Sequence, residues 1–235
     1  MRKQINWEKV VVWTVLVTLI FSVVFVIIMM IKSPWETMSN EPNARTKGDY
    51  SLMLLQCVLG ILAMFLPSML EHRIKIIIPS RMMIMYALFL YGAIYLGEVR
   101  NFYFVIPYWD TILHISSGGM LGALGFSVIV LLNNTDRVPI NLSPVFVAFF
   151  AFCFAIAIGV AWEIYEYAFD GLLGLNMQKF ALQDGTLLAG RDAVSDTMQD
   201  LIVDVVGAGA ISGLGYISLK YKKGWVERLL LRKHK

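Results

Sequence analysis

Cysteine is nearly missing. Cys57 and Cys153 are the only two in 235 residues, and both lie inside apolar runs. That excludes a disulfide scaffold and a thiolate metal centre, and leaves both as packing residues. Histidine is scarce as well, with three in the chain. Charged residues make up 16% against roughly 25% in soluble domains, whereas 58% of the chain is hydrophobic and the mean hydropathy is +0.67. Such a chain belongs in a lipid bilayer, its expected partner, and no nucleic-acid partner is expected.

What the chain does have is long uncharged runs. They predict an all-α fold: a polytopic integral membrane helical bundle of about six transmembrane helices. The spans read as Val10–Ile31, Ser51–Leu70, Met82–Gly97, Trp109–Leu132, Pro144–Phe169 and Ser195–Leu219. The first is longer than the apolar core of about 7–15 residues in a signal peptide and ends in MMIKSPW, so it reads as an uncleaved span. Residues 1–219 form one membrane domain. Residues 220–235 form a basic tail with an apolar face, expected along the membrane surface. Ile76–Ile78 are placed in the interface. The moderately apolar loop Gly171–Asp192 has room for a short interfacial or re-entrant helix.

Lys and Arg set the orientation. With six spans both termini share a side, which holds Arg2, Lys3, Lys9, Arg73, Lys75, Arg81, Arg137 and the seven basic residues of the tail. The other side holds Lys32, Arg45, Lys47, Arg100, Lys179 and Arg191, so the split is fourteen against six and both termini are expected to be cytoplasmic. Acids run the other way. Glu8, Glu71, Asp136 and Glu227 fall inside, and the other thirteen lie at or towards the outer side.

Three spans carry ionisable residues at that same outer end. The fourth enters with Asp110 and His114, i and i+4 on one face. The fifth leaves with Glu163 and Glu166, then Asp170. The sixth enters through Arg191 and Asp192, followed by Asp196, Asp200 and Asp204, each one turn beyond the last. The stripes continue as small residues: Gly118, Gly122 and Gly125 below His114; Gly159, Ala155 and Ala151 below Glu163; Gly207 and Ala208 below Asp204. Small faces let membrane helices approach closely. Packing the three seams together predicts a closed base and an acidic cup open to the outside.

Carboxylates crowded in this way must be protonated or share cations. Oxygen ligands with one imidazole suit Mg²⁺, Mn²⁺, Ca²⁺ or Zn²⁺, so a divalent metal is the expected cofactor, with Asp196, Asp200, Asp204 and His114 as ligands. Asp110, His114 and Glu163 are the candidate catalytic acid–base groups. Arg191 and Glu166 are candidates to bind substrate, with Arg100 as a second possible grip on an anionic head group. Structural roles compete with each assignment. Asp192 and Asp196 suit a helix N-terminus, Asp110 can cap the fourth span, and a lone His114 would ordinarily be a buried structural histidine. Capping does not account for Asp200 and Asp204, two and three turns in. Asp170 reads as a solvated end residue, Glu98 with Arg100 as a surface pair, and Trp109 and Trp162 as interfacial belt residues.

WDTILHISSGG, WEIYE and GRDAVSDTMQDLIVDVVGA together resemble the uncharacterised bacterial YjdF-like membrane proteins and, more distantly, the VanZ-like family linked to glycopeptide resistance. The likeness covers about Tyr108–Gly215. Glu166 and Asp204 stand where the VanZ-like pattern has Gln and Asn, and the Arg191-to-Asp200 spacing is longer, which favours the YjdF-like reading. The resemblance implies a multi-pass protein of the bacterial plasma membrane and supports the site more than a reaction. The expected function is an outward-facing Asp/Glu/His site that binds a divalent metal and acts on or binds a lipid-linked or cell-envelope substrate. The alternatives are a structural or partner-binding membrane protein, with homo-oligomers included, and a small proton-coupled transporter.

Overall fold

Local chemistry sets the helix ends. In the computed structural model, which describes residues 6–35, 45–133, 142–182, 185–225 and 229–233, helix α1 (Trp7–Lys32) starts at Asn6, whose side chain accepts from the Lys9 backbone N–H at 3.2 Å. Helix α2 (Lys47–Ile74) starts with a capping box in which Thr46 and Asp49 satisfy each other's backbone donors. Helix α6 (Pro144–Leu173) has Ser143 as its N-cap, proline in the first turn, and Gly174 at φ 64° closing its C-terminus. These ends matter because the α6 C-terminus and the loop after it carry part of the site.

Helix α3 (Ser80–Leu90) follows a two-residue strand β1 (Ile76–Ile77) and runs on as a π-helical segment, Tyr91–Val99. A single turn α4 (Phe102–Val105), then α5 (Trp109–Asn133), α6, a 3₁₀ turn (Asp192–Val194), α7 (Ser195–Lys220) and a short β2 (Arg232–Lys233) complete the chain. Among the described residues, six helical segments are long and apolar enough to cross a membrane: Trp7–Lys32, Lys47–Ile74, Ser80–Val99, Trp109–Asn133, Pro144–Leu173 and Asp192–Lys220. All-α architecture and the number of spans are therefore as expected. Arg2, Lys3, Asp136, Arg137, Glu227, Arg228 and Lys235, used in the charge count, lie outside the described residues, as does most of the polar segment between the first two spans.

The helices form two groups. Helices α5, α6 and α7 pack mutually, and α1, α2 and α3 form the second group, joined to α5 through α3 and its π-helical end. The α5–α7 contact is backbone to backbone. A Cβ on Gly118 would lie 2.6 Å from the Asp204 carbonyl oxygen, and one on Gly122 would lie 3.4 Å from the Ala208 carbonyl oxygen. All three expected small-residue seams are buried here.

Two regions differ from expectation. The loop after α6 holds no helix among its described residues beyond the 3₁₀ turn. It is a turn structure with a bridge between Ala181 and Leu187, because its own side chains bond its backbone. The tail folds back on the bundle. Leu231 is buried and donates its N–H to Ser127 Oγ, and β2 pairs antiparallel with β1, Ile77 opposite Arg232. Ile76 and Ile77 thus form part of a small ribbon.

Candidate functional site

Helix phase brings the acids together. Asp110 and His114 lie on the inward face of α5, Glu163, Glu166 and Asp170 on that of α6, and Asp200 and Asp204 on that of α7. His114, 8% exposed, is at the centre. Its Nε2 lies 3.9 Å from Asp110 Oδ1 and 3.7 Å from Asp200 Oδ2, while Nδ1 lies 3.5 Å from Asp204 Oδ2. None of these is a hydrogen bond, and Nδ1 has no partner within bonding range. Asp110, His114 and Asp200 each place one ligand atom within 4.8 Å of the other two.

Asp204 sits in a hole made by glycines. A Cβ on Gly159 of α6 would lie 2.5 Å from its Oδ2, and Gly118 of α5 is pressed against its backbone. Ser117, whose hydroxyl donates to the His114 carbonyl at 2.9 Å, lies 3.3 Å from Asp204 Oδ1. Glu163 is 4% exposed and neither of its oxygens has a hydrogen-bond partner, although Gln178 and Thr197 face it and His114 and Asp196 lie within its field. Gln178 instead donates to Thr197 Oγ1 at 2.8 Å. Glu166 is also buried and accepts from Trp162 Nε1 at 2.9 Å, so this tryptophan serves the site as well as the lipid face.

The residue that sequence reasoning missed is Lys179. Its ammonium contacts Asp110 Oδ2 and lies 3.1 Å from Asp196 Oδ1. Burial works against the charge, but the carboxylates of Asp110 and then Asp196 outweigh it and hold the lysine above its ordinary pKa. The Tyr103 ring lies beneath the ammonium, 5.9 Å from nitrogen to centroid. Burial first, and then the acids from Glu98 onward, push the Tyr103 phenol well above its usual value, so it stays neutral. The available signal was small: Lys179 is the single base between Glu163 and Arg191, and it lies in a loop counted only for topology.

Three assignments change. Asp170 is not solvated; it is buried and accepts from the Met177 and Gln178 backbone N–H groups at 2.7 and 3.0 Å. Glu98 does not form a surface pair with Arg100, which is exposed. Gln56 faces its carboxylate, and Arg45, Asp110 and Lys179 act on it. Asp196 is held by Lys179 and does not stand beside His114, unlike Asp200 and Asp204. Arg191 is exposed at the start of the 3₁₀ turn.

Chemically, the arrangement fits a small cation. Ligand atoms about 2.0–2.2 Å from a common ion are separated from one another by roughly 3–4 Å, the range seen around Nε2. Asp204 stands behind the other ring nitrogen at 3.5 Å, on the side away from the two carboxylates that face Nε2.

A family model described as "Predicted membrane protein (DUF2238)" matches residues 13–221. An uncharacterised protein of Thermotoga maritima is 29% identical over 139 residues, 58% of this chain and 62% of the relative, so the match spans less than two thirds of that protein. No solved structure matches.

Proposed function

Because the chain belongs to this family of predicted membrane proteins, we propose that it carries out its chemistry within the membrane-spanning bundle, at one divalent cation held by Asp110, His114 and Asp200. The supporting observation is the environment of His114: two carboxylates from two helices face Nε2 at 3.7 and 3.9 Å, and a third stands behind Nδ1 at 3.5 Å. Asp204 orients the imidazole. Glu163, buried with both oxygens unpartnered, is the group poised to take a proton from a water or hydroxyl entering the cup. The ion would supply Lewis acidity. The substrate is the polar part of a lipid-linked or cell-envelope molecule reaching the acidic end of the bundle, with Glu166 and Arg191 at its margin. In this proposal the acidic end faces outward, as the charge count favours. The YjdF-like resemblance accords with the family, and the VanZ-like one contributes the envelope as the place of action.

The test is metal content and Mn²⁺ and Zn²⁺ binding by the purified full chain, beside Asp200→Asn and His114→Ala. One ion per chain in the wild type, lost in both folded variants, is expected. A well-folded wild type that binds none overturns the reading. One observation favours a structural role instead: Lys179 already neutralises Asp110 and Asp196. In that case Asp200→Asn lowers abundance without changing any metal content.

A further inference from the structure

We propose that Lys179 is the resident second cation of a bridged site: Asp110 shares its two oxygens between a divalent ion at His114 and Asp200 and the Lys179 ammonium, so that the chain takes one metal ion where its acids could hold two. This inference rests on the one-ion reading of the site above.

The division is visible in Asp110. Its Oδ1 faces His114, and its Oδ2 is in contact with Lys179. A bridging carboxylate of this kind ordinarily links the two ions of a two-metal centre about 3.5–4 Å apart. Here the second position is held by nitrogen. Asp196 contributes to that second position from α7, and Glu98 lies within the field of the same ammonium from the end of the third span.

The ammonium does not reach the cup by chance. Lys179 adopts φ 48°, a left-handed backbone that a residue with a side chain keeps only where its surroundings impose it. They do so from both sides. Asp170 accepts two successive backbone N–H groups just before it, and Asn176 bonds both the carbonyl and the N–H of Ala181 just after it. Gln178 ties the loop to Thr197 on α7. A loop braced at three points to deliver one side chain is a built part of the site.

An independent observation points to a ligand beyond this lysine. Glu163 is 4% exposed, lies in the field of His114 and Asp196, and has no hydrogen-bond partner at either oxygen, so Lys179 does not satisfy the whole cup. An ion held by Asp110, His114 and Asp200 would add positive charge in that field.

The experiment is Mn²⁺ stoichiometry and electron paramagnetic resonance on the full-length protein, for wild type, Lys179→Arg, Lys179→Ala and Lys179→Gln. The Gln variant, near lysine in length but neutral, keeps the comparison open if the alanine variant does not fold. Wild type and Lys179→Arg are expected to bind one ion with a mononuclear spectrum. The neutral variants are expected to bind two, with the spectrum of an exchange-coupled pair. One ion in the wild type and one in the neutral variants, with an unchanged spectrum, overturns this inference and leaves the metal reading standing. No ion in any variant overturns both. An ion that binds only once the charge is removed overturns the bridged arrangement, because the ammonium then occupies the metal's own position.

Discussion

At the residue scale, the site depends on what stands behind His114. Asp204 is on the far side of the ring from the proposed ligands, so its removal should weaken the ion rather than abolish its place. Asp204→Ala is expected to lower Mn²⁺ affinity by about 10–100-fold while keeping one ion at saturation, as measured by titration calorimetry. Asp204→Asn, which keeps the shape of the side chain and an oxygen behind Nδ1, should fall at the mild end of that range. A loss of stoichiometry in Asp204→Ala would place this carboxylate among the direct ligands instead. The residue scale is also where sequence reasoning did least well. The i, i+4 logic placed Asp110 with His114 and Asp200 with Asp204, and both pairs share a face in the structure. It gave no weight to Lys179, because a helical period says nothing about a side chain that arrives from a loop.

At the element scale, close approach is what brings the acids within reach. Glycine at 159 leaves the volume that the Asp204 carboxylate fills, and a Cβ there would stand 2.5 Å from Oδ2. Gly159→Ala is therefore expected to cost about 1–3 kcal/mol by overpacking and to weaken metal binding together with it. Gly213→Ala is the control on α7. Nothing lies within 4 Å of the added carbon, so it should be neutral or stabilise by about 0.5–1 kcal/mol. Thermal midpoints in one detergent, with metal titrations on the same samples, separate the two. Equal effects would mean that the glycine seam does not position Asp204. The seams themselves were legible, because small residues at helical spacing mark close faces whatever the partner. The π-helical end of the third span was not. Its hydropathy is that of any apolar helix, and nothing in a hydropathy pattern distinguishes a widened turn from an ordinary one; Arg45 donates to the Glu98 and Val99 carbonyls at its end.

At the scale of the whole molecule, the tail and the site lie on different parts of the bundle. Leu230 packs against the cluster of Phe126, Ile129, Val147 and Ala151, and Leu231 bonds Ser127, more than three turns along α5 from His114. Deletion of residues 221–235 is expected to lower stability by about 2 kcal/mol or more, from the loss of buried Leu231 and half-buried Leu230, with metal stoichiometry unchanged. Loss of the ion on truncation would show that the two ends are coupled.

The sequence by itself determined the class of the protein and the helices on which its acids lie. Apolar run length decides whether a segment can cross a bilayer, and period decides which residues share a face. It also indicated that so many carboxylates must be protonated or share positive charge. Tertiary structure decided which partner each one meets. Asp196 turns to Lys179 and Asp200 to His114, although the two are one turn apart on α7, because the loop closed by Asp170 and Asn176 delivers its ammonium to one and not the other. It also decided that Asp170 caps that loop and that Leu231 returns to Ser127. Such contacts join residues distant in the chain, and no local period encodes them.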